Sequence, residues 1–305
     1  MQPIASTPKP LDLPTLAIAL MIYGGFLMLT AHFNQLPLAL AAPLGAILLA
    51  WHGSLQHETI HGHPTSSRRL NTLLGGVPLS LWIPYRIYRE THLRHHRHEG
   101  RHLTDAKRDP ESYYLRPGTL AGVGMVRRAI ILANRTLAGR IVLGPAVAVA
   151  ALWVAEARKV YVGDTRRRLI WSRHALAVGL VLYWTVGLCH IHLGIFLALV
   201  VYPSISLAQL RSFAEHRADA NARKRTRVVE SNPVLALLFM NNNLHIAHHA
   251  HPQLPWHQLP SAWKRMRDSV RDPALVIQGG YREVFRRYFF RPLITAEHPG
   301  FGGLE

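Results

Sequence analysis

Residues 13–51, LPTLAIALMIYGGFLMLTAHFNQLPLALAAPLGAILLAW, contain no Asp, Glu, Lys or Arg. The stretch breaks once, at the polar His32 to Pro37, into two apolar runs. Each is long enough for a membrane-crossing helix, which needs about 20 apolar residues. A second charge-free window runs from His174 to Leu210 and breaks at Cys189, His190, Ile191 and His192. The expected fold is therefore an all-α membrane protein with four transmembrane helices in two hairpins. The spans are expected at about 13–33, 36–55, 170–189 and 193–211. Residues 56–169 and 212–305 would form a helical cap, and 1–305 a single domain.

The rest of the chain is polar and basic. Its 305 residues include 35 Lys plus Arg against 17 Asp plus Glu, a formal charge of +18. Apart from Lys9, every Lys and Arg lies between Arg68 and Arg173 or beyond Leu210, while the hairpin tips near Phe33 to Leu36 and Cys189 to Leu193 have none. By the positive-inside rule the cap and both termini face the cytoplasm, as in a multi-pass protein of a bacterial inner membrane. Met1 to Leu11 lacks the basic start and short apolar core of a cleaved signal peptide. Ile141 to Ala155 is apolar but short and flanked by Arg140 and Glu156, so it is placed in the membrane interface. The single cysteine, Cys189, excludes an intrachain disulfide or a cysteine-based zinc finger. Membrane orientation accounts for the positive charge, and no nucleic-acid-binding motif is present.

Twenty histidines are the outlier in composition. They cluster at helical offsets: His57 and His61 in HETIHGH, His92, His95 and His96 in HLRHHRH, and His245, His248 and His249 in HIAHHAH. Offsets of three and four bring imidazoles to one helix face. Neutral imidazole is a ligand for iron, zinc and copper. These three boxes supply more ligands than one ion with four to six positions can take, so two metals are expected. His63, His98, His102 and His251 are spare histidines nearby. Isolated ones such as His32, His52 and His174 are read as solvated or hydrogen-bonded residues.

HETIH, then HLRHH, then HIAHH near the C-terminal third resemble the histidine boxes of the membrane fatty-acid desaturase superfamily, which also includes hydroxylases and carotenoid ketolases. RDPESYY after the second box, RSFAEH at Arg211 to His216, and NNNLHIAHHAHPQLPWHQLP extend the resemblance from about Gln56 to Pro260. The resemblance implies four spans capped by a cytosolic helical domain, with two non-haem irons held almost entirely by histidine. It adds His216 as a ninth ligand, from the helix that follows the fourth span. One position departs from the pattern: Ser212 stands where some acyl-CoA members have an asparagine that holds a metal-bound water.

The activity implied by that resemblance is O2-dependent oxidation, with the chain a fatty-acyl or lipid desaturase that inserts a double bond. A hydroxylase or ketolase acting on lipid or carotenoid is the alternative, and a histidine-rich metal transporter a more distant one. The substrate is expected to come from the membrane, past Trp51, Trp82, Tyr85 and Tyr88. Nine neutral imidazoles leave two irons short of negative charge, so acidic groups are expected at the ligands' other ring nitrogens. Glu58, Asp105, Asp109, Glu111 and Glu215 are the candidates, with Glu58 and Glu215 favoured because they lie inside the motifs. The chain contains neither a cysteine set for an iron–sulfur cluster nor a GxGxxG fingerprint. Electrons are therefore expected from a separate ferredoxin, rubredoxin or cytochrome-type donor.

Overall fold

The computed structural model describes residues 11–97 and 102–300. Four helices are long and apolar enough to cross a membrane: Leu13–Ala31, Leu38–Ile60, Thr165–Leu188 and Leu193–Ser212. The protein is an all-α membrane protein; among the described residues strand pairing is confined to a short parallel pairing of Val228–Val229 with Val276–Ile277 and two isolated bridges. His98 and both chain ends lie outside the described residues.

Asp12 starts the first span. Its carboxylate accepts from the Thr15 backbone N–H at 3.2 Å and from the Thr15 hydroxyl at 2.6 Å, satisfying donors that a helix start leaves unpaired. The second span is lined on its inner face by small residues, Ala41, Ala42, Gly45, Ala46 and Ala50, which let the fourth span approach closely. A Cβ on Gly45 would lie 2.9 Å from Val200 Cγ1, a branched side chain with little freedom to move. Gly45→Ala is expected to destabilise the bundle by about 1–3 kcal/mol, as overpacking does. A lower thermal midpoint in detergent checks this. At the far end Asn34 Nδ2 donates to the carbonyls of Cys189 and His190 at 3.0 and 3.2 Å, latching one hairpin tip to the other. Leu20, Met28, Leu44, Leu176 and Leu180 face outward, as lipid-facing side chains do.

The first span begins, the second ends, the third begins and the fourth ends at the same end of the bundle. The cap packs there. It includes the nine-residue helix Arg68–Gly76, the second-box helix Tyr85–Arg97, the third-box helix His245–Ala250 and the C-terminal helix Gly280–Tyr288. Residues 141–155 fall within two helices, Leu137–Val142 and Gly144–Tyr161, separated at Leu143. Just before that break, the fully buried Arg140 fastens the cap to the fourth span. It donates to Gln209 Oε1 at 3.3 Å and to the Asn134 carbonyl at 3.2 Å, and lies 3.9 Å over the Tyr113 ring.

Candidate metal centre

The second span runs through Ile60, so His57 sits on its last turn and His61 follows it directly. The second-box helix carries His92, His95 and His96, and the third-box helix carries His245, His248 and His249. His216 lies just beyond the fourth span, where it bridges to Thr226.

Among the described residues these nine histidines form two groups whose ligand atoms lie within 4.8 Å of one another. His57, His61, His92, His96 and His248 form one group, and His95, His216, His245 and His249 the other. Helix pitch, together with the way the helices are rotated against one another, accounts for the division. At about 100° per residue, positions four apart differ by about 40° in one sense and positions three apart by about 60° in the other, so the second and third rings of a box point about 100° apart. His92 and His96 therefore share a group while His95 faces the other. In the third box His245 and His249 stay together and His248 crosses over.

The ring nitrogens show what these groups can bind. His216 Nδ1 faces the Arg225 carbonyl at 3.2 Å. His245 Nδ1 faces Asn242 Oδ1 at 3.2 Å and a Glu215 oxygen at 3.5 Å. These oxygens accept, so each ring carries its proton on Nδ1 and presents a lone pair at Nε2. The two Nε2 atoms are nevertheless 3.0 Å apart. Two buried lone pairs facing each other repel, and a cation that both can coordinate removes the conflict. In the other group, His61 and His92 Nε2 lie 3.0 Å apart, His96 and His248 Nε2 lie 3.1 Å apart, and His57 Nε2 is buried without a hydrogen-bond partner. Neutral imidazoles at this spacing fit metal ligation.

Electrostatics keep most of the set neutral. Burial, reinforced by neighbouring imidazoles, holds His61, His96, His245, His248 and His249 well below the usual histidine range. His216 is lowered to about 3 by burial and then by His95. Burial also opposes charge on His95, but Glu111 and Asp109 outweigh it and push its pKa up to about 9. The extra ring proton that the two carboxylates hold there is one that a metal would displace.

The acidic partners come mainly from one loop. Asp109 Oδ1 lies 2.9 Å from His95 Nδ1, and its Oδ2 accepts from the Thr104 N–H at 2.8 Å. Glu111 holds His92 Nδ1 at 3.0 and 3.2 Å. Burial raises Glu111, but the charges of His92 and His95 overcome it and hold its carboxyl well below the ordinary range.

The two acids favoured from sequence position make weaker contacts with the rings. Glu58 is 3.8 Å from His57 Nδ1, beyond hydrogen-bond reach, and accepts from the Trp256 N–H at 3.0 Å. Glu215 lies 3.5 Å from His245 and is bonded to Arg211. Burial raises Glu215 to about 7, against the opposing charge of Arg211. Glu58, next to His57 on one helix, points about 100° away from it, whereas a loop can fold back onto the far side of the ring.

Asp105 stays outside the site, capping its own turn through the N–H groups of Lys107 and Arg108. Asn242 and the Arg225 carbonyl are orienting groups that spacing does not reveal. Among the spare histidines, His63 bridges Asp12 and the Gln253 carbonyl, His102 meets Arg108, and His251 is exposed. Ser212 Oγ pairs with the Tyr113 hydroxyl at 3.0 Å. The expected entrance aromatics have separate contacts: Trp51 bonds the Leu237 carbonyl, the Trp82 carbonyl accepts from Trp153, Tyr85 pairs with Thr59, and Tyr88 packs against His92.

A protein-family model described as fatty acid desaturase matches residues 34–280. No curated protein and no solved structure matches the chain.

Proposed function

Since this chain belongs to the fatty acid desaturase family, we propose that the two imidazole groups hold two irons and that the protein is an O2-dependent desaturase of membrane lipid or fatty-acyl chains. The observation that carries this reading is the pair of Nε2 lone pairs on His216 and His245, 3.0 Å apart and each fixed by an acceptor at Nδ1. In this assignment His57, His61, His92, His96 and His248 ligate one ion, and His95, His216, His245 and His249 the other. Bound there, the irons would supply reductive activation of O2 for attack on an unactivated C–H bond.

The chain's own groups set the conditions for that chemistry. Asp109 and Glu111 hold protons on the Nδ1 atoms of His95 and His92, which keeps each Nε2 available as a ligand and fixes the ring plane. Burial of seven of the nine histidines, all but His96 and His216, keeps bulk water from competing for the ions. Electrons come from a separate ferredoxin, rubredoxin or cytochrome-type protein. The cap and its histidines face the cytoplasm in this reading, as the distribution of Lys and Arg supports.

Mass spectrometry of host lipids with and without the expressed chain is the test. The expected products are acyl chains that have lost two hydrogens. Products that gain oxygen without a new double bond would instead assign a hydroxylase or ketolase, and an unchanged lipid profile with O2 and donor supplied would refute the oxidation of host lipids.

A further inference from the structure

Residues 296–298 lie beyond residue 280, where the match to the family ends, yet they are built into the cap. Leu115 donates its N–H to the Ala296 carbonyl at 2.9 Å and accepts from the His298 N–H at 2.8 Å, a parallel bridge centred on Glu297. The Glu297 carboxylate accepts from the backbone N–H groups of Gly118, at 3.1 Å, and of Leu120. So anchored, the segment buries His298 with its ring edge-on to Tyr114, 5.1 Å between centroids.

The contacts of that ring place its proton. The Gly300 N–H donates to His298 Nδ1 at 3.0 Å, so Nδ1 is an acceptor and the neutral ring carries its proton on Nε2. Burial lowers the pKa of this histidine and favours the neutral form. Nε2 lies 3.4 Å from the Thr104 hydroxyl oxygen, and it is the donor of that contact.

Thr104 has an unusual backbone. Its φ of 72° falls in the left-handed region, which a β-branched residue rarely adopts and which persists only where the surroundings hold it. From that conformation its N–H reaches Asp109 Oδ2 at 2.8 Å, and Asp109 Oδ1 orients His95. Two contacts hold Thr104 from within its own loop, the bond to Asp109 and the Ser112 hydroxyl on its carbonyl at 2.7 Å. His298 supplies another from the far end of the chain. On its other side the same ring packs on Tyr114, whose hydroxyl accepts from the Ala218 N–H at 2.8 Å, two residues after His216. Both routes from His298 thus end on the four-imidazole group, to which His95 and His216 belong.

We propose that His298 is a positioning residue of the four-imidazole site: by donating to Thr104 it holds the left-handed turn from which Asp109 orients His95. The inference rests on the reading that the imidazole groups hold metal, and it extends the support of that site to a segment outside residues 34–280.

The full chain loaded with iron(II) in maltoside detergent is mixed with the chelator ferrozine, and release of each ion is followed by the colour of the chelate. The phase that is missing in His249→Ala belongs to the four-imidazole site. His298→Phe keeps a ring against Tyr114 but removes the donor. It is expected to speed that phase about tenfold, the low end of the scale for groups that orient ligands, and to leave the other phase within about twofold. His298→Gln, whose amide N–H can reach the same hydroxyl, should restore most of the retention. Thr104→Gly tests the route. Glycine takes a left-handed backbone without support, so adding His298→Phe to Thr104→Gly should speed the phase by less than about twofold.

An unchanged release rate in His298→Phe, or its full effect persisting in the glycine background, overturns the proposal. Both phases accelerated by one factor, with no rescue by glutamine, overturn it as well, because that is a general loosening of the cap. A parent chain that retains iron while the variants behave so defeats this inference alone. A parent chain that retains no iron defeats the metal reading, and the inference with it.

Discussion

His249→Ala is expected to reduce bound metal from about two ions per chain to about one and to lower product formation more than about 100-fold. His249 belongs to the four-imidazole group, in which its Nε2 lies 3.1 Å from that of His245. Four nitrogens are the minimum for a closed site, so losing one leaves three ligands and a hole. The five-imidazole group has one ligand more. His248→Ala should therefore keep more metal than His249→Ala, although activity, which under the proposed two-iron reading requires both ions, should fall comparably. Metal analysis by plasma mass spectrometry, alongside lipid product analysis, checks both statements. Full metal content and unchanged turnover in the His249 variant would remove it from the ligand set.

The second large effect is expected from Asp109→Asn. The carboxylate accepts from His95 Nδ1 at 2.9 Å, from the Thr104 N–H at 2.8 Å and from the Glu111 N–H at 2.9 Å. An asparagine that keeps its oxygen on the Thr104 N–H turns its NH2, a donor, toward both the Glu111 N–H and His95 Nδ1. The ring proton would move to Nε2, the atom needed for ligation. A loss of about 10- to 100-fold in metal affinity or activity is expected, the usual scale for removing such an orienting group. Asp105→Asn is the control. Asp105 caps only its own turn, a role asparagine fills about as well, and activity should stay within about threefold. Similar losses in both variants would show that the loop matters only as a scaffold.

The two charge-free windows make the spans legible in the sequence, because a bilayer tolerates few charges and the chain shows where they are missing. Box offsets of three and four make the histidines legible as a metal-binding set. Which imidazole joins which group is not visible in the spacing, since it depends on how the three helices are rotated against one another. The acids show the same limit. Glu58 and Glu215 sit inside their motifs, yet Asp109 and Glu111 make the shortest contacts with ring nitrogens, brought there by a loop whose path is a tertiary property. Arg140 reads in the sequence only as a charge flanking an apolar segment. Its partners Tyr113 and Gln209 lie far away along the chain, so neither its burial nor its fastening role has a local signature.

The two multi-ligand helices also act as rulers. In each, the first two imidazoles serve different groups and stand three positions apart, His92 to His95 and His245 to His248, a rise of about 4.5 Å along a helix axis. The offset between the groups is thus written twice, on separate rods, in the pitch of the backbone. No carboxylate has to span the gap to define it. One residue inserted between His92 and His95 would throw a single rod out of gauge and leave the other true, so the two halves of the centre could no longer be assembled together.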